Sequence, residues 1–165
     1  YSMLLSGECL VLNYVSAEGH LDVVEFYLSK DSSTEAALEA ATRIAGFYAR
    51  VEVVEKLIQH RKKTLGKGPT FGVLDSFVSS DSLEGFKMTL AKSPEMLTFD
   101  DFAIWKSAAR KGAIKIMWHL ISSEKVSEEV LNEVLVEDCS HKFLQMELVE
   151  MILKAGADPC IHGEE

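Results

Sequence analysis

A ten-residue pattern recurs along the chain, and its clearest copy is Gly19–Leu28, which reads Gly-His-Leu-Asp-Val-Val-Glu-Phe-Tyr-Leu. With Leu21 as the anchor of this copy, the pattern returns at steps of 30, 32, 31 and 32 residues. The later anchors are Val51, Leu83, Ile114 and Met146. Apolar residues within each copy lie three and four positions apart, as on one face of an α-helix. A period of about thirty residues indicates stacked helical hairpins.

A second helical stretch precedes each anchor, so the predicted unit is a pair of antiparallel helices. These first helices are expected over residues 8–17, 34–48 and 102–111 of the first, second and fourth copies, with Thr34 as an N-cap. Gly19 and Gly112 fall between paired helices, where a positive φ reverses the chain at least cost. Small residues before the turns, such as Ala45, Gly46 and Ala108, permit close helix packing.

Each helix pair exposes an apolar stripe that is stabilising only when a neighbouring pair covers it. We therefore expect an all-α fold, a solenoid of about five stacked helix-turn-helix repeats in a single domain, 1–165. The repeats are expected at about 5–30, 34–62, 70–93, 100–124 and 128–160. The predicted core residues are Leu28, Leu57, Leu120 and Leu153 between units, with Trp105 and Trp118.

The helix, the Gly-His turn and the Leu-Asp-Val-Val sequence together resemble the ankyrin repeat. Residues 148–159, Leu-Val-Glu-Met-Ile-Leu-Lys-Ala-Gly-Ala-Asp-Pro, resemble the end of an ankyrin unit and its entry into the β-hairpin. The chain departs from the family in lacking the Thr-Pro-Leu-His opening, so shortened or helical connections are expected. In the third copy Gly85 stands where a branched apolar residue is expected. The resemblance covers about residues 10–160, and an all-helical solenoid of another family is the alternative.

Composition narrows the classes of partner. A formal net charge of −9, without a basic stripe, disfavours binding to nucleic acid. The apolar stretches are short and interrupted by charges, so no membrane span is predicted. Three widely spaced cysteines suit a reducing compartment, and the first twelve residues lack the basic segment and cleavage site of a secretory signal. We expect a cytoplasmic location, or the host cytoplasm if the protein is delivered there.

Two Cys-x-His pairs are the candidates for metal or thiol chemistry: Cys139 with His141, and Cys160 with His162. Zinc-ligand pairs normally stand two to four residues apart, whereas these are separated by a single residue. Stacked hairpins also lack the enclosed cleft that nucleophilic catalysis requires. We therefore expect no catalytic residue, no metal and no cofactor, with a zinc-dependent or thiol enzyme as a minor alternative.

Two charged clusters have structural explanations. The basic cluster follows the second anchor helix, where cations offset the helix dipole, and is predicted to be a solvated loop. It consists of His60, Arg61, Lys62, Lys63 and Lys67. The acidic run is predicted to form the solvated face of one helix. Its members are Glu124, Glu128, Glu129, Glu133, Glu137 and Asp138.

The ankyrin resemblance implies a concave binding surface to which residues just before each inter-helix turn contribute. The residues carried over to this surface are Glu18, Phe47, Tyr48, Ser80, Arg110, Lys111 and Lys142. Exposed aromatic residues commonly anchor interfaces, so Phe47 and Tyr48, with Arg110 and Lys111 as basic neighbours, are predicted to contact an acidic or mixed protein segment. In the alternative interpretation Phe47 packs inward.

We therefore expect a monomeric, non-catalytic module that binds another protein or a neighbouring domain on its concave face. The alternative function is an accessory domain that recruits substrate for a larger multidomain enzyme, or part of a delivered effector protein.

Overall fold

A computed structural model describes residues 7–30, 33–100, 102–123, 126–139 and 145–160. These residues form ten α-helices, α1 to α10, and contain no β-strand. In chain order the helices are Gly7–Glu18, Leu21–Ser29, Glu35–Phe47, Val51–Leu65, Phe71–Ser79, Leu83–Lys92, Ala103–Lys111, Ile114–Ser123, Glu128–Cys139 and Met146–Lys154. A 3-10 helix, Pro94–Leu97, lies between α6 and α7, as expected for a helical connection. None of the helices so defined has the length and apolar character to cross a membrane.

The periodic pattern locates the even-numbered helices, because all five anchors are the first residues of α2, α4, α6, α8 and α10. The predicted first helices are observed as α1, α3 and α7. Thr34 is the N-cap of α3, and its side-chain oxygen accepts a 3.2 Å hydrogen bond from the Ala37 N–H. Four of the five predicted repeat ranges contain one consecutive pair of helices in full, and α4 runs three residues past the end of the second range.

The turn within a helix pair has the same conformation four times. The residue two positions before the anchor has a positive φ in each case: Gly19, Ala49, Asp81 and Gly112. The N–H of the following residue donates to the carbonyl five positions earlier, with distances from 2.8 Å for Arg50 to 3.0 Å for His20. This is the six-to-one hydrogen bond of a Schellman motif, which closes the first helix and starts the second.

The helices contact one another in a regular order. Each first helix contacts the next first helix, from α1 through α3, α5 and α7 to α9, and each second helix contacts the next second helix. The two helices of every pair also contact each other. All ten helices contribute to one cluster of buried apolar residues.

Most of the predicted core residues are buried, and two predictions are wrong. Leu28, Leu57, Leu120 and Trp105 are at most 6% exposed. Trp118 is 62% exposed, because its position in the repeat lies on the solvent-facing side of the second helix. The equivalent positions hold Glu25, Glu55, Lys87 and Glu150.

Leu153 is the second wrong prediction, since it is 37% exposed while the preceding Ile152 is fully buried. Ile152, not Leu153, occupies the same repeat position as Leu57 and Leu120, six residues after the anchor. The core contact of α10 is therefore made one residue earlier than predicted.

Gly85, the apparent mismatch of the third copy, has a packing role. It is buried in α6, and a Cβ atom there would lie 2.1 Å from a ring carbon of Phe77 in α5. Phe77 is fully buried, so its ring occupies the volume that a branched side chain at position 85 would need. The missing side chain in one helix thus matches a large side chain in its partner.

Candidate protein-binding surface

The predicted binding residues lie at the carboxyl ends of the first helices. Glu18 ends α1, Phe47 ends α3, Ser80 directly follows α5, and Arg110 and Lys111 end α7. Arg50 donates to the Ala17 carbonyl near the end of α1, and Ser80 donates to the Gly46 carbonyl near the end of α3. Lys111 at the end of α7 donates to Asp75 of α5, so the ends of neighbouring first helices lie beside one another. We call the surface formed by α1, α3, α5 and α7 the first-helix face. Lys142 lies outside the described residues.

Two aromatic side chains lie together at the end of α3. Phe47 and Tyr48 are each 55% exposed, so the interpretation in which Phe47 packs inward is wrong. Their ring centroids are 5.4 Å apart in an edge-to-face arrangement. Such contact orients both rings, which reduces the entropy that they would lose on binding a partner.

A groove runs between α1 and α3 beside these rings. It is lined by Asn13, Tyr14, Ala17, Ile44, Phe47 and Tyr48. The sequence analysis missed Tyr14, which is 65% exposed. Its position four residues before Glu18 places it on the same side of α1, so helical spacing could have identified it.

A second groove, between α3 and α5, shares Phe47 and Ile44 with the first. It has a volume of about 350 Å³, and its lining includes Arg43, Gly72, Asp75 and Ser79. Sequence reasoning also missed Arg43, which is exposed. Its position one helical turn before Phe47 could have identified Arg43 from the sequence.

A third groove lies between α5 and α7, and three basic residues line it. Lys106, Arg110 and Lys111 line it together with Asp75 and Asp100. Lys111 Nζ lies 2.6 Å from an Asp75 carboxylate oxygen, and Ser107 Oγ donates to that same oxygen at 2.5 Å. Lys106 Nζ lies 2.7 Å from Glu133 of α9. Lys106 and Lys111 therefore form ion pairs between neighbouring helices.

Ser80 also forms contacts within the fold. Its hydroxyl donates to the Gly46 carbonyl at 3.0 Å and thereby joins the end of α5 to α3. The predicted binding positions thus differ in chemistry: the α3 aromatic residues are exposed, whereas Ser80 and Lys111 hold neighbouring helices together.

The basic cluster is solvated in part, as predicted, since Lys62 and Lys63 are exposed in the last turn of α4, but this segment is helical to Leu65 and not a loop. Arg61 is 6% exposed, and its guanidinium lies 2.6 Å from Glu39 and 3.2 Å from Glu35 of α3. Hydrogen bonds from Lys67 lower the pKa of the Glu35 carboxyl below its ordinary value of 4.5. Burial raises this pKa, and the hydrogen bond and positive charge of Arg61 lower it further. Arg61 thus connects α4 to α3, and Lys67 connects the segment before α5 to α3.

The acidic run is exposed where its side chains are described, at Glu128, Glu129 and Glu133. Hydrogen bonds donated by the Ser127 side chain and by its own backbone N–H lower the pKa of the Glu129 carboxyl. Glu124 and the side chains of Glu137 and Asp138 lie outside the described part of the chain. The exposed members agree with the predicted solvated helix face.

The cysteine-histidine candidates fall mostly outside the described residues. His141, His162 and the side chain of Cys139 lie there, while Cys160 is an exposed free thiol. No three metal-ligating side chains cluster within the described ranges. The predicted β-hairpin entry is observed as a turn, in which Asn132 Oδ1 accepts a hydrogen bond from the Asp158 N–H at 2.7 Å.

Comparisons of the chain with protein-family models, with curated protein sequences and with solved structures found no match. Its function is therefore inferred from its own surface. On the first-helix face, exposed aromatic residues, grooves and basic side chains occur together.

Proposed function

We propose that the chain is a non-catalytic protein-interaction module, built as an ankyrin-like solenoid of five helix pairs. The regular order of contacts among first helices and among second helices supports this architecture. The turn with a positive φ, repeated four times at the same place in the repeat, supports it as well. A stack of such pairs presents a long surface on one side, which suits binding of another macromolecule.

The observation that carries the proposal is the exposed pair Phe47 and Tyr48 beside the groove that Tyr14 lines. Large apolar side chains that remain exposed side by side gain free energy when a partner covers them. Phe47 belongs to both the α1–α3 and the α3–α5 grooves, so one partner segment can contact both. We propose that a protein segment lies along the first-helix face with its apolar side chains against these rings.

The shape of the grooves favours binding over catalysis. They are open along the surface, whereas catalytic sites generally exclude water around the reacting atoms. The ionisable groups of the α5–α7 groove are largely engaged with one another, as Lys111 and Ser107 are with Asp75. Such groups fix neighbouring helices and are poorly placed to exchange protons with a substrate.

Partner capture with matched variants tests the proposal. The wild-type chain, the double variant Phe47→Ala/Tyr48→Ala and the control Trp118→Ala are immobilised and exposed to the same cell extract. Trp118 is as exposed as the two rings but lies on α8, which lines none of the three grooves. We expect proteins that bind the wild type and Trp118→Ala and are lost from the double variant.

Affinities for a purified captured protein then make the comparison quantitative. We expect the double variant to lose about tenfold or more, since each buried aromatic anchor contributes at least about 1 kcal/mol. Circular dichroism checks that helicity is equal in all three proteins. Equal capture by the wild type and the double variant would refute binding through the first-helix face.

A further inference from the structure

We infer that Arg43 recognises an acidic side chain of the partner, next to the place where Phe47 contacts an aromatic or large aliphatic one. This inference rests on the proposed function and names the chemistry of the segment that the α3–α5 groove accepts. It also changes the predicted basic contact from Arg110 and Lys111 to a residue on α3.

The first support is the position of Arg43. It stands one helical turn before Phe47 on α3, and both side chains line the α3–α5 groove. Gly72 of α5 allows the arginine to lie close, because a Cβ atom there would be 3.1 Å from its Cδ and Nε atoms. The arginine side chain therefore lies against α5 within the groove, beside the aromatic ring.

The second support is the charge balance of this groove. Asp75, the acidic residue in its lining, already accepts hydrogen bonds from Ser107 and Lys111. Arg43 is exposed and forms no hydrogen bond or ion pair with the residues that the structure describes. The charge of Asp75 is thus compensated by the neighbouring helix while that of Arg43 is not. The groove carries an unpaired positive charge on a chain whose net charge is −9.

These features specify the partner segment. A guanidinium binds a carboxylate through two parallel hydrogen bonds, which gives both orientation and affinity. Arg43 and Phe47 are separated by one helical turn, or roughly 6 Å along the helix. A helical partner meets both residues with acidic and apolar side chains three or four positions apart, and an extended partner with the two side chains two positions apart. We therefore expect an acidic segment with an aromatic or large aliphatic residue at one of these spacings.

Selection from a displayed library of short random peptides tests the inference with a defined probe. The library is selected separately on the wild-type chain, Arg43→Glu, Phe47→Ala and the control Lys87→Glu, which reverses an exposed charge on α6. We expect the wild type and Lys87→Glu to enrich peptides with Asp or Glu at a fixed spacing from an aromatic or large aliphatic residue. Arg43→Glu should instead enrich Lys or Arg at that position.

Affinities of one enriched synthetic peptide complete the test. Arg43→Glu should weaken binding by about tenfold or more, since a hydrogen-bonded charge pair is worth about 1.5–3 kcal/mol. Replacing the acidic residue of the peptide by Lys should restore binding to Arg43→Glu. The variant Arg110→Gln, which removes a cation of the α5–α7 groove, should change the affinity by less than about threefold.

The outcomes separate the two proposals. Peptides that require Phe47 but bind wild type and Arg43→Glu equally would overturn the role of Arg43 and leave the binding face intact. Peptides that bind every variant equally, or a library without enrichment on the wild type, would overturn both the proposed function and this inference. A loss with Arg110→Gln as large as that with Arg43→Glu would assign the acidic contact to α7 instead.

Discussion

Ala49 adopts a backbone conformation for which glycine is the usual residue. Its φ is +55°, and the equivalent residues in two other turns are Gly19 and Gly112. An L-residue in the left-handed region costs about 1–2 kcal/mol, whereas glycine adopts this region freely and loses more chain entropy on folding. We expect Ala49→Gly to raise the free energy of unfolding by a net amount of about 0.5–1 kcal/mol, measured by urea denaturation.

The matched control for this prediction is Ala40→Gly, in the right-handed backbone of α3. That change should lower stability by about 1 kcal/mol, because glycine is the poorer helix former. Changes of opposite sign in the free energy of unfolding of the two variants would identify backbone conformation as the cause. A destabilising effect of Ala49→Gly would contradict the assigned turn geometry.

Of the four turn residues with a positive φ, only the two glycines were predicted from the sequence. Gly19 and Gly112 are recognisable as turn residues from their type, whereas Ala49 and Asp81 are not. The signal for these two was the thirty-residue period, which aligns them with the glycines. Asp81 has a further role, since its carboxylate accepts hydrogen bonds from the N–H groups of Lys115 and Ile116 at the start of α8. That contact depends on the packing of two helix pairs and left no pattern in the sequence.

The second helices show which repeat positions carry the packing. The position six residues after the anchor is buried in four of the five, at Leu57, Thr89, Leu120 and Ile152. The next position is less consistent, because it is buried at Leu28 and exposed at Leu153. Apolar spacing alone predicted the helices and their starts, but it could not distinguish these adjacent positions. The sixth position lies within the buried face, whereas the seventh lies at its edge, where tertiary contacts decide whether it is covered.

Alanine substitutions of Leu120 and Leu153 measure how much the sixth and seventh positions after the anchor contribute to stability. Leu120 is 1% exposed, so Leu120→Ala should lower the free energy of unfolding by about 2–5 kcal/mol. Leu153 is partly exposed, and Leu153→Ala should cost less than about 1.5 kcal/mol because it leaves no enclosed cavity. Chemical denaturation of both variants checks the prediction. Equal losses would show that the described register of α10 is wrong.

The polar contacts between helix pairs share a property that belongs to the whole molecule. Their partners are separated in sequence by about one period: 33 residues for Arg50 Nε to the Ala17 carbonyl, 34 for Ser80 to Gly46, and 36 for Lys111 to Asp75. Contacts of this kind connect each helix pair to the next one. The period itself was readable from the sequence, but these partners were not, since each depends on the relative position of two packed helices.

Because helix pairs contact mainly their sequence neighbours, stability should vary along the chain. The central pairs α3–α4, α5–α6 and α7–α8 have neighbours on both sides, whereas α1–α2 and α9–α10 each contact one adjacent pair. In arrays of this kind the stability of a unit depends on its own helices and on its contacts with adjacent units. Native-state hydrogen exchange, followed by mass spectrometry, should therefore find the slowest amides in the central pairs and faster exchange in the outer ones. Leu120→Ala should accelerate exchange most in α7 to α10 and least in α1 and α2. An equal acceleration along the whole chain would show that the helices unfold as one cooperative unit and would contradict this variation of stability along the chain.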